Sequence, residues 1–291
     1  MKLTREEEDM INMWTKCKVP PREISRMMEE KFHKPIAPKK VRNITMKQRQ
    51  RDQSNEIDDI KIFMDEDGGK LTWKEDENGD VSAMFISSSK MRSGFQRVKP
   101  ELLQIDTTFN LEQSRYKVCG FCFVDPETNT TQMAGMALLD AESHENFEFA
   151  FNALKDMASG KDDFIFIVDK DMKEVNTLYK VFRNCTVLLC LFHVITYFKK
   201  IVASSLIEVH EKHSIFAIFQ SLVYAKSEDD FIRKTKAFYN EVHGVYVRPP
   251  NTDEPVLLSS YYAKNWEPEA DKWVSYKRRH LPTLGDNTNN R

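Results

Sequence analysis

A mixed α/β sheet, antiparallel at first and parallel afterwards, is predicted for the middle of this chain by three observations. Five short apolar runs between 101 and 191 have the length of buried strands rather than helices. The first three follow one another across turn-rich stretches with no room for a helix, as antiparallel neighbours do. The last two alternate with segments of helical periodicity, the pattern that parallel strands require.

Residues 4–50 read as three helices. The first has Thr4 as N-cap, acids in its first turn and an apolar stripe of Met10, Ile11 and Trp14. Pro20-Pro21 ends it and opens the second, where Ile24, Met27, Met28 and Phe32 recur at helical spacing. Pro35 and Pro38 mark the next break, and a third helix runs through KKVRNITMKQRQ. Residues 51–62 are polar and read as a linker. Between 63 and 99, turn signals alternate with short apolar runs, and Asn78-Gly79 predicts a hairpin turn entering VSAMFI.

The five strands are LLQIDTTF, YKVCGFCFV, TQMAGMALLD, FIFIVD and TVLLCLF, with DPETN as the turn between the second and third. The helix SHENFEFAFNALKDM buries Phe147, Phe151 and Leu154. The helix KEVNTLYKVF buries Val175, Leu178, Val181 and Phe182. Three strands in a meander followed by alternating helix and strand is the ribonuclease-H-like order, here a five-stranded sheet. Beyond 211 the pattern is mainly helical, with Ser227 as an N-cap and Trp266 and Trp273 late in the chain. The predicted organisation is a basic helix-turn-helix-like module at 1–52, a linker and small β element at 53–99, the core at 100–211, and a helical insertion at 212–291 that is incomplete at its C-terminus.

Charge separates the module from the core. From Lys31 to Arg51 there are eight Lys and Arg and no acid; from Glu101 to Glu174 there are fifteen acids against six bases. A basic head on an acidic body predicts a polyanion-binding module, with DNA as the partner. On the third helix Lys39, Lys40, Arg42, Asn43, Lys47 and Arg49 are the candidates for contact with phosphates and base edges. A solvated helix, or a basic nuclear-import patch, is the alternative use of the same charges. No apolar stretch approaches the ~20 residues of a membrane span, and MKLTREEEDM lacks a signal region. Five cysteines, an odd number, point to a reducing compartment. The expected location is the nucleus, and the expected partners beside DNA include a second copy of the chain in a homo-oligomer.

Two carboxylates carry the chemistry. Asp106 closes the apolar run of LLQID, and Asp169 closes FIFIVD. An acid at such a point can be an ordinary turn or cap residue. Two of them on neighbouring strands are the start of a two-metal site for hard divalent cations. Asp171 is the near alternative to Asp169, but it sits in the first turn of the following helix, where an acid suits the helix dipole. Cys119 and Cys122 form CGFC in a strand, where positions three apart face opposite ways and do not converge on a metal. Cys190 and His193 form CLFH at a strand-to-helix junction; they are candidate zinc ligands, or a buried thiol and a capping imidazole.

The ordered set IDTTF, AESHENFEFAFNALK, VDKDMKEV, VFRNCTVLLCLFHV, KWVSYKRRH and GDNTNNR resembles the Mutator-like transposases and the cellular proteins derived from them, most of all the SWIM zinc-finger proteins of types 1 and 3. The resemblance spans roughly residues 80–291. It implies a nuclease core in which two Asp and a Glu hold two Mg²⁺ ions, with Asp106 and Asp169 as the two aspartates. Thr107 replaces the usual small residue of the first motif. The implied Glu lies beyond Asn289-Asn290, and a SWIM zinc finger lies further on; the sequence given stops at Arg291. Glu267, Glu269 and Asp271 are the late acids. The expectation is a transposase-derived nuclear DNA-binding protein, catalytically incomplete as this chain stands. The alternatives are an active Mg²⁺-dependent transposase and a protein-interaction adaptor without DNA binding.

Overall fold

The computed structural model of the chain describes residues 3–17, 19–108, 116–250, 252 and 254–281, with backbone alone at Lys16, 45–56 and Thr108. The chain divides into two compact units, Met1–Asp67 and Gly68–Arg291.

In the first unit, α1 (Arg5–Lys16) opens with a capping box: Thr4 N donates to Glu7 Oε2 at 2.7 Å, and Glu7 N donates back to the Thr4 hydroxyl. Lys34 reaches the same Glu7 carboxylate at 2.7 Å and ties α1 to the turn after α2 (Pro21–Phe32). Ile11, Trp14, Ile24, Met28, Ile36 and Val41 form the unit's core. The third helix, α3, runs from Pro38 to Asp67, so the linker predicted at 51–62 is helical instead. The stretch from 51 to 67 holds neither Gly nor Pro, and polarity alone does not stop a helix. The stop comes at Gly68, whose φ of 68° is the left-handed conformation that ends helices.

The second unit begins with a hairpin, β1 (Lys70–Glu75) and β2 (Val81–Ser87), turned at Asn78-Gly79 with Gly79 at φ 80°. One Asp76 carboxylate oxygen accepts from the backbone of Asn78 and Asp80 and closes the turn. A helix not read from the sequence follows, α4 (Ser89–Val98), capped by Ser88; its apolar positions Met91, Phe95 and Val98 are at helical spacing but few. Then come β3 (Leu102–Thr108), β4 (Lys117–Asp125), β5 (Thr130–Leu139), α5 (His144–Met157), β6 (Ile165–Val168), α6 (Met172–Val181), β7 (Thr186–Leu189) and α7 (Leu191–Ala203).

The sheet has seven strands in the order β1-β2-β5-β4-β3-β6-β7. The five predicted strands are there, antiparallel through β5-β4-β3 and parallel through β3-β6-β7. The hairpin extends the same sheet because β2 is buried from Val81 to Phe85, too apolar to stand apart, and it pairs with β5 from Ala83↔Leu139 to Ile86↔Met136.

Side chains alternate along each strand. One face of the sheet carries Leu103, Ile105, Phe121, Phe166, Val168, Val187 and Leu189 into the main core, under Phe147, Phe151 and Leu154 of α5 and Val175 and Leu178 of α6. The opposite face carries Leu102, Ile165, Ile167, Leu188 and Cys190, with Leu281 packed on them.

The C-terminal part is mainly helical, as predicted: α8 (Val209–Val223), α9 (Glu228–Glu241) capped by Ser227, a short ladder of β8 (Tyr246–Val247) with β9 (Val256–Leu257), α10 (Leu258–Asn265), and helical turns through Arg278. Trp266 and Trp273 are fully buried, and Phe198 of α7 stacks on Phe219 of α8 at 3.6 Å between ring centroids. This aromatic cluster anchors the region on α7. No helix among the described residues is long and apolar enough to cross a membrane.

The attachment of the hairpin is testable at Gly135 in β5. A Cβ there would meet Phe85 Cζ at 2.9 Å and Ile86 O at 3.1 Å, and Phe85 is fully buried against Phe121. Gly135→Ala is expected to cost about 1–3 kcal/mol by overpacking, read as a lower denaturant midpoint. An unchanged midpoint would mean that β2 and β5 are not held at this distance.

Candidate metal centre at the ends of the parallel strands

Register places the site. β3 and β6 pair as Leu102↔Ile165, Leu103↔Phe166 and Gln104↔Ile167, so two residues on, Asp106 stands opposite Asp169. β6 and β7 pair up to Val168↔Leu189, and Cys190 N continues the ladder by donating to Val168 O at 2.8 Å, so Asp169 stands opposite Cys190. Asp106, Asp169 and Cys190 thus form a row across three parallel strands, spaced by roughly the 4.8 Å between neighbouring strands, on the face away from α5 and α6. This is the end of a parallel sheet where loops diverge and ligands gather. On the other side of Asp106 its cross-strand partner is Gly120, which adds no side chain to crowd it.

The row is completed by His193. Cys190 is the N-cap of α7 and His193 is its third helical residue, so both side chains stand at the first turn of the helix. The His193 Nδ1 lies against the Asp169 carboxylate in an ion pair. That contact, and then the approach to Cys190, raise the imidazole to about 10, so the ring is a cation at neutral pH. The half-buried Asp106 carboxyl is raised by burial first and by the charge of Asp169 second, with His193 opposing. Asp171 is the N-cap of α6 and accepts from Lys173 N at 2.7 Å, the dipole-capping role expected of it.

Two ionisable groups near the row were not anticipated. Glu174, in the first turn of α6, is 2% exposed, and its Oε1 is buried without a hydrogen-bond partner. Burial, then Asp169, Asp171 and Asp106, raise its carboxyl well above the usual range. One signal existed: Glu174 stands one turn before Leu178, on the helix face that the apolar spacing had assigned to the core. Arg278 is also 2% exposed; Nη1 donates to Leu189 O at 2.9 Å, while Nε and Nη2 are buried without partners. Burial lowers the guanidinium to about 10, opposed by neighbouring Cys190. Nothing in RRH spacing marks it as buried.

The other candidates lie elsewhere. Cys119 is buried in the main core and Cys122 is partly exposed beyond a β-bulge; both are free thiols. Glu267 accepts from the Tyr239 hydroxyl at 2.7 Å, and Glu269 pairs with Lys272. In the separate N-terminal unit, Lys39, Arg42 and Asn43 are exposed on α3 and Lys40 is partly buried, with Val41 turned into the core. The side chains of Lys47 and Arg49 lie outside the described residues.

As to fit, Asp106 and Asp169 supply two carboxylates on one face, which suits a hard divalent cation. Burial first, and then the like charge of Asp169, raise Asp106, and a bound cation would relieve the second of these. A third carboxylate does not join them: among the described residues the convergent group of three potential ligands is Asp169, Cys190 and His193.

A ribonuclease-H-like sheet with an aspartate on each of two adjacent central strands defines a protein of nuclease-type fold. Residues 61–188 match the family described as zinc finger SWIM domain-containing protein 1/3, RNaseH-like domain. The matched stretch runs from within α3 into β7; it includes Asp106, Asp169 and Glu174 and stops short of Cys190 and His193. No curated relative matches the chain.

Two outcomes check the electrostatics. In Asp169→Asn, the Asp106 carboxyl is expected to titrate lower than in the parent, followed by carbon-13 NMR of labelled aspartate. For Glu174, the folded pKa lies above the unfolded one, so native stability is fullest below the ordinary carboxylate range and falls as pH rises through the raised value. Glu174→Gln is therefore expected to raise the melting temperature at pH 8 and to leave it nearly unchanged at pH 4; a loss at both would show that the carboxylate is paired.

Proposed function

We propose that this is a nuclear, DNA-binding protein of Mutator-like transposase descent, in which α3 contacts DNA and the sheet keeps the first two carboxylates of a DDE-type centre without completing it. The observation that supports the nuclease ancestry is the register that sets Asp106 and Asp169 side by side within the matched domain.

In this reading Mg²⁺, when bound, supplies charge neutralisation at a scissile phosphodiester and an activated oxygen nucleophile. Asp106 and Asp169 would hold it. Asp169 is already engaged by the imidazolium of His193. The cationic His193 lowers the negative charge available at Asp169, and Glu174 is enclosed on the helix side of the sheet. Both features weaken the site for a small cation that demands several well-placed oxygens. Background-level cleavage is the consequence.

The basic helix supplies binding. Lys39, Arg42 and Asn43 point to solvent from a helix whose Val41 fixes its rotation on the module core. Phosphate contacts from such a face release counterions, so affinity falls with salt. With Lys39, Arg42 and Lys47 all replaced by Ala in the full chain, the slope of log affinity against log salt is expected to flatten by up to about 3. An unchanged slope moves DNA contact off this helix, and absence of binding by the parent favours the adaptor reading.

Catalysis is tested by nicking of supercoiled plasmid in Mg²⁺ and in Mn²⁺. The parent chain, Asp106→Asn and Asp169→Asn are expected to give the same background. Metal-dependent nicking abolished by both substitutions would overturn the incomplete-centre reading.

A further inference from the structure

We propose that Asp169, Cys190 and His193 form a zinc(II) site with an open fourth position. The inference does not depend on DNA binding or on nuclease ancestry; it stands on three side chains and the charge beside them.

The first observation is convergence. A carboxylate oxygen of Asp169, Sγ of Cys190 and a ring nitrogen of His193 all lie within 4.8 Å of one another. Zinc bonds of about 2.0–2.3 Å in a tetrahedron put ligand atoms roughly 3.3–3.7 Å apart, so the widest pair needs to close by no more than about 1.5 Å while the Asp169–His193 ion pair opens to admit the ion. The backbone predisposes it to do so. Asp169 and Cys190 are cross-strand neighbours, and Cys190 and His193 occupy the N-cap and third position of one helix. The thiol makes no hydrogen bond that caps the helix.

The second observation is the buried cation. Arg278 is 2% exposed; its Nη1 donates to the carbonyl of Leu189, the residue before Cys190, at 2.9 Å, and its Nε and Nη2 are buried without partners. Burying a guanidinium with unused donors costs stability unless negative charge stands close by. A zinc-bound thiolate is such a charge. Coordination needs a neutral imidazole and a thiolate, so zinc takes the place of the protons held by His193 and Cys190.

The donor set decides the metal. One thiolate, one imidazole and one carboxylate favour zinc over magnesium, which prefers oxygen alone. Three protein ligands leave the fourth position to water, the arrangement of zinc sites that stay reactive. Asp169 belongs to both sets, so zinc here and magnesium on the Asp106–Asp169 pair would draw on the same carboxylate. Bound zinc would also staple the ends of β6 and β7 to the start of α7.

The test uses the full chain, stripped with chelator and titrated with Zn²⁺ against a competing indicator, and separately with Co²⁺ for its absorption spectrum. One equivalent of tight zinc is expected, with thiolate-to-cobalt charge transfer and tetrahedral d–d bands. Cys190→Ser should abolish the charge-transfer band. His193→Ala and Asp169→Asn should weaken zinc by at least the ~10–100-fold that loss even of an outer-shell partner costs. Cys122→Ser and Cys17→Ser should change nothing. Circular dichroism of each apo variant separates loss of a ligand from loss of fold; were Cys190→Ser unfolded, Asp169→Asn carries the test. No zinc on the folded parent, or a cobalt spectrum indifferent to Cys190 and His193, overturns the proposal.

Discussion

The parallel pairing of β3, β6 and β7 in register is the constraint on which the site depends. Strand residues alternate faces with a period of two, so a slip of one residue on β6 would turn Asp169 into the main core and move Val168 to the opposite face. The core forbids that slip. Phe166 and Val168 of β6 are fully buried on the helix side, and Phe166 packs on Phe182 at 5.0 Å between centroids. The packing of the helix-side face therefore fixes which residues the opposite face presents. Asp106, Asp169 and Cys190 stand in a row because Ile105, Val168 and Leu189 must be inside.

Around that row the charges are unequal in their compensation. Asp169 has its imidazolium. Asp106 bears the repulsion of Asp169, and Glu174 bears that of both while buried on the helix side. On the far side Arg278 brings positive charge to Cys190. A centre with carboxyls raised on one flank and a desolvated guanidinium on the other is held in that state by the surrounding packing, since each group would relax if it reached water.

The helical C-terminal part contributes to this packing. Trp266 and Trp273 are buried against Phe219, and the Trp273 indole donates to Trp266 O at 2.9 Å. Lys170, the residue after Asp169, lies over the Trp266 ring at 3.7 Å from its centroid, so the loop that carries Asp169 is fastened to this cluster. The turn that follows Trp273 brings Arg278 under β7.

Much of this was legible from the residues alone. Strand runs, the Asn78-Gly79 turn, the Thr4 and Ser227 caps, and the position of Asp169 against Asp171 all rest on local rules, namely periodicity, capping and turn chemistry, that act over a few residues. The row of Asp106 and Asp169 followed from strand order. The extension of the sheet to seven strands did not, because whether β2 pairs with β5 depends on which edge is left open, a property of the assembled sheet. The helix through 51–62 was missed because polarity was taken for a break when no residue there stops a helix. The charge state of Glu174, His193 and Arg278 was beyond the sequence for a single reason. A pKa depends on burial and on charges distant in the chain, and only the tertiary structure brings residue 278 to residue 190, or residue 174 to residue 106.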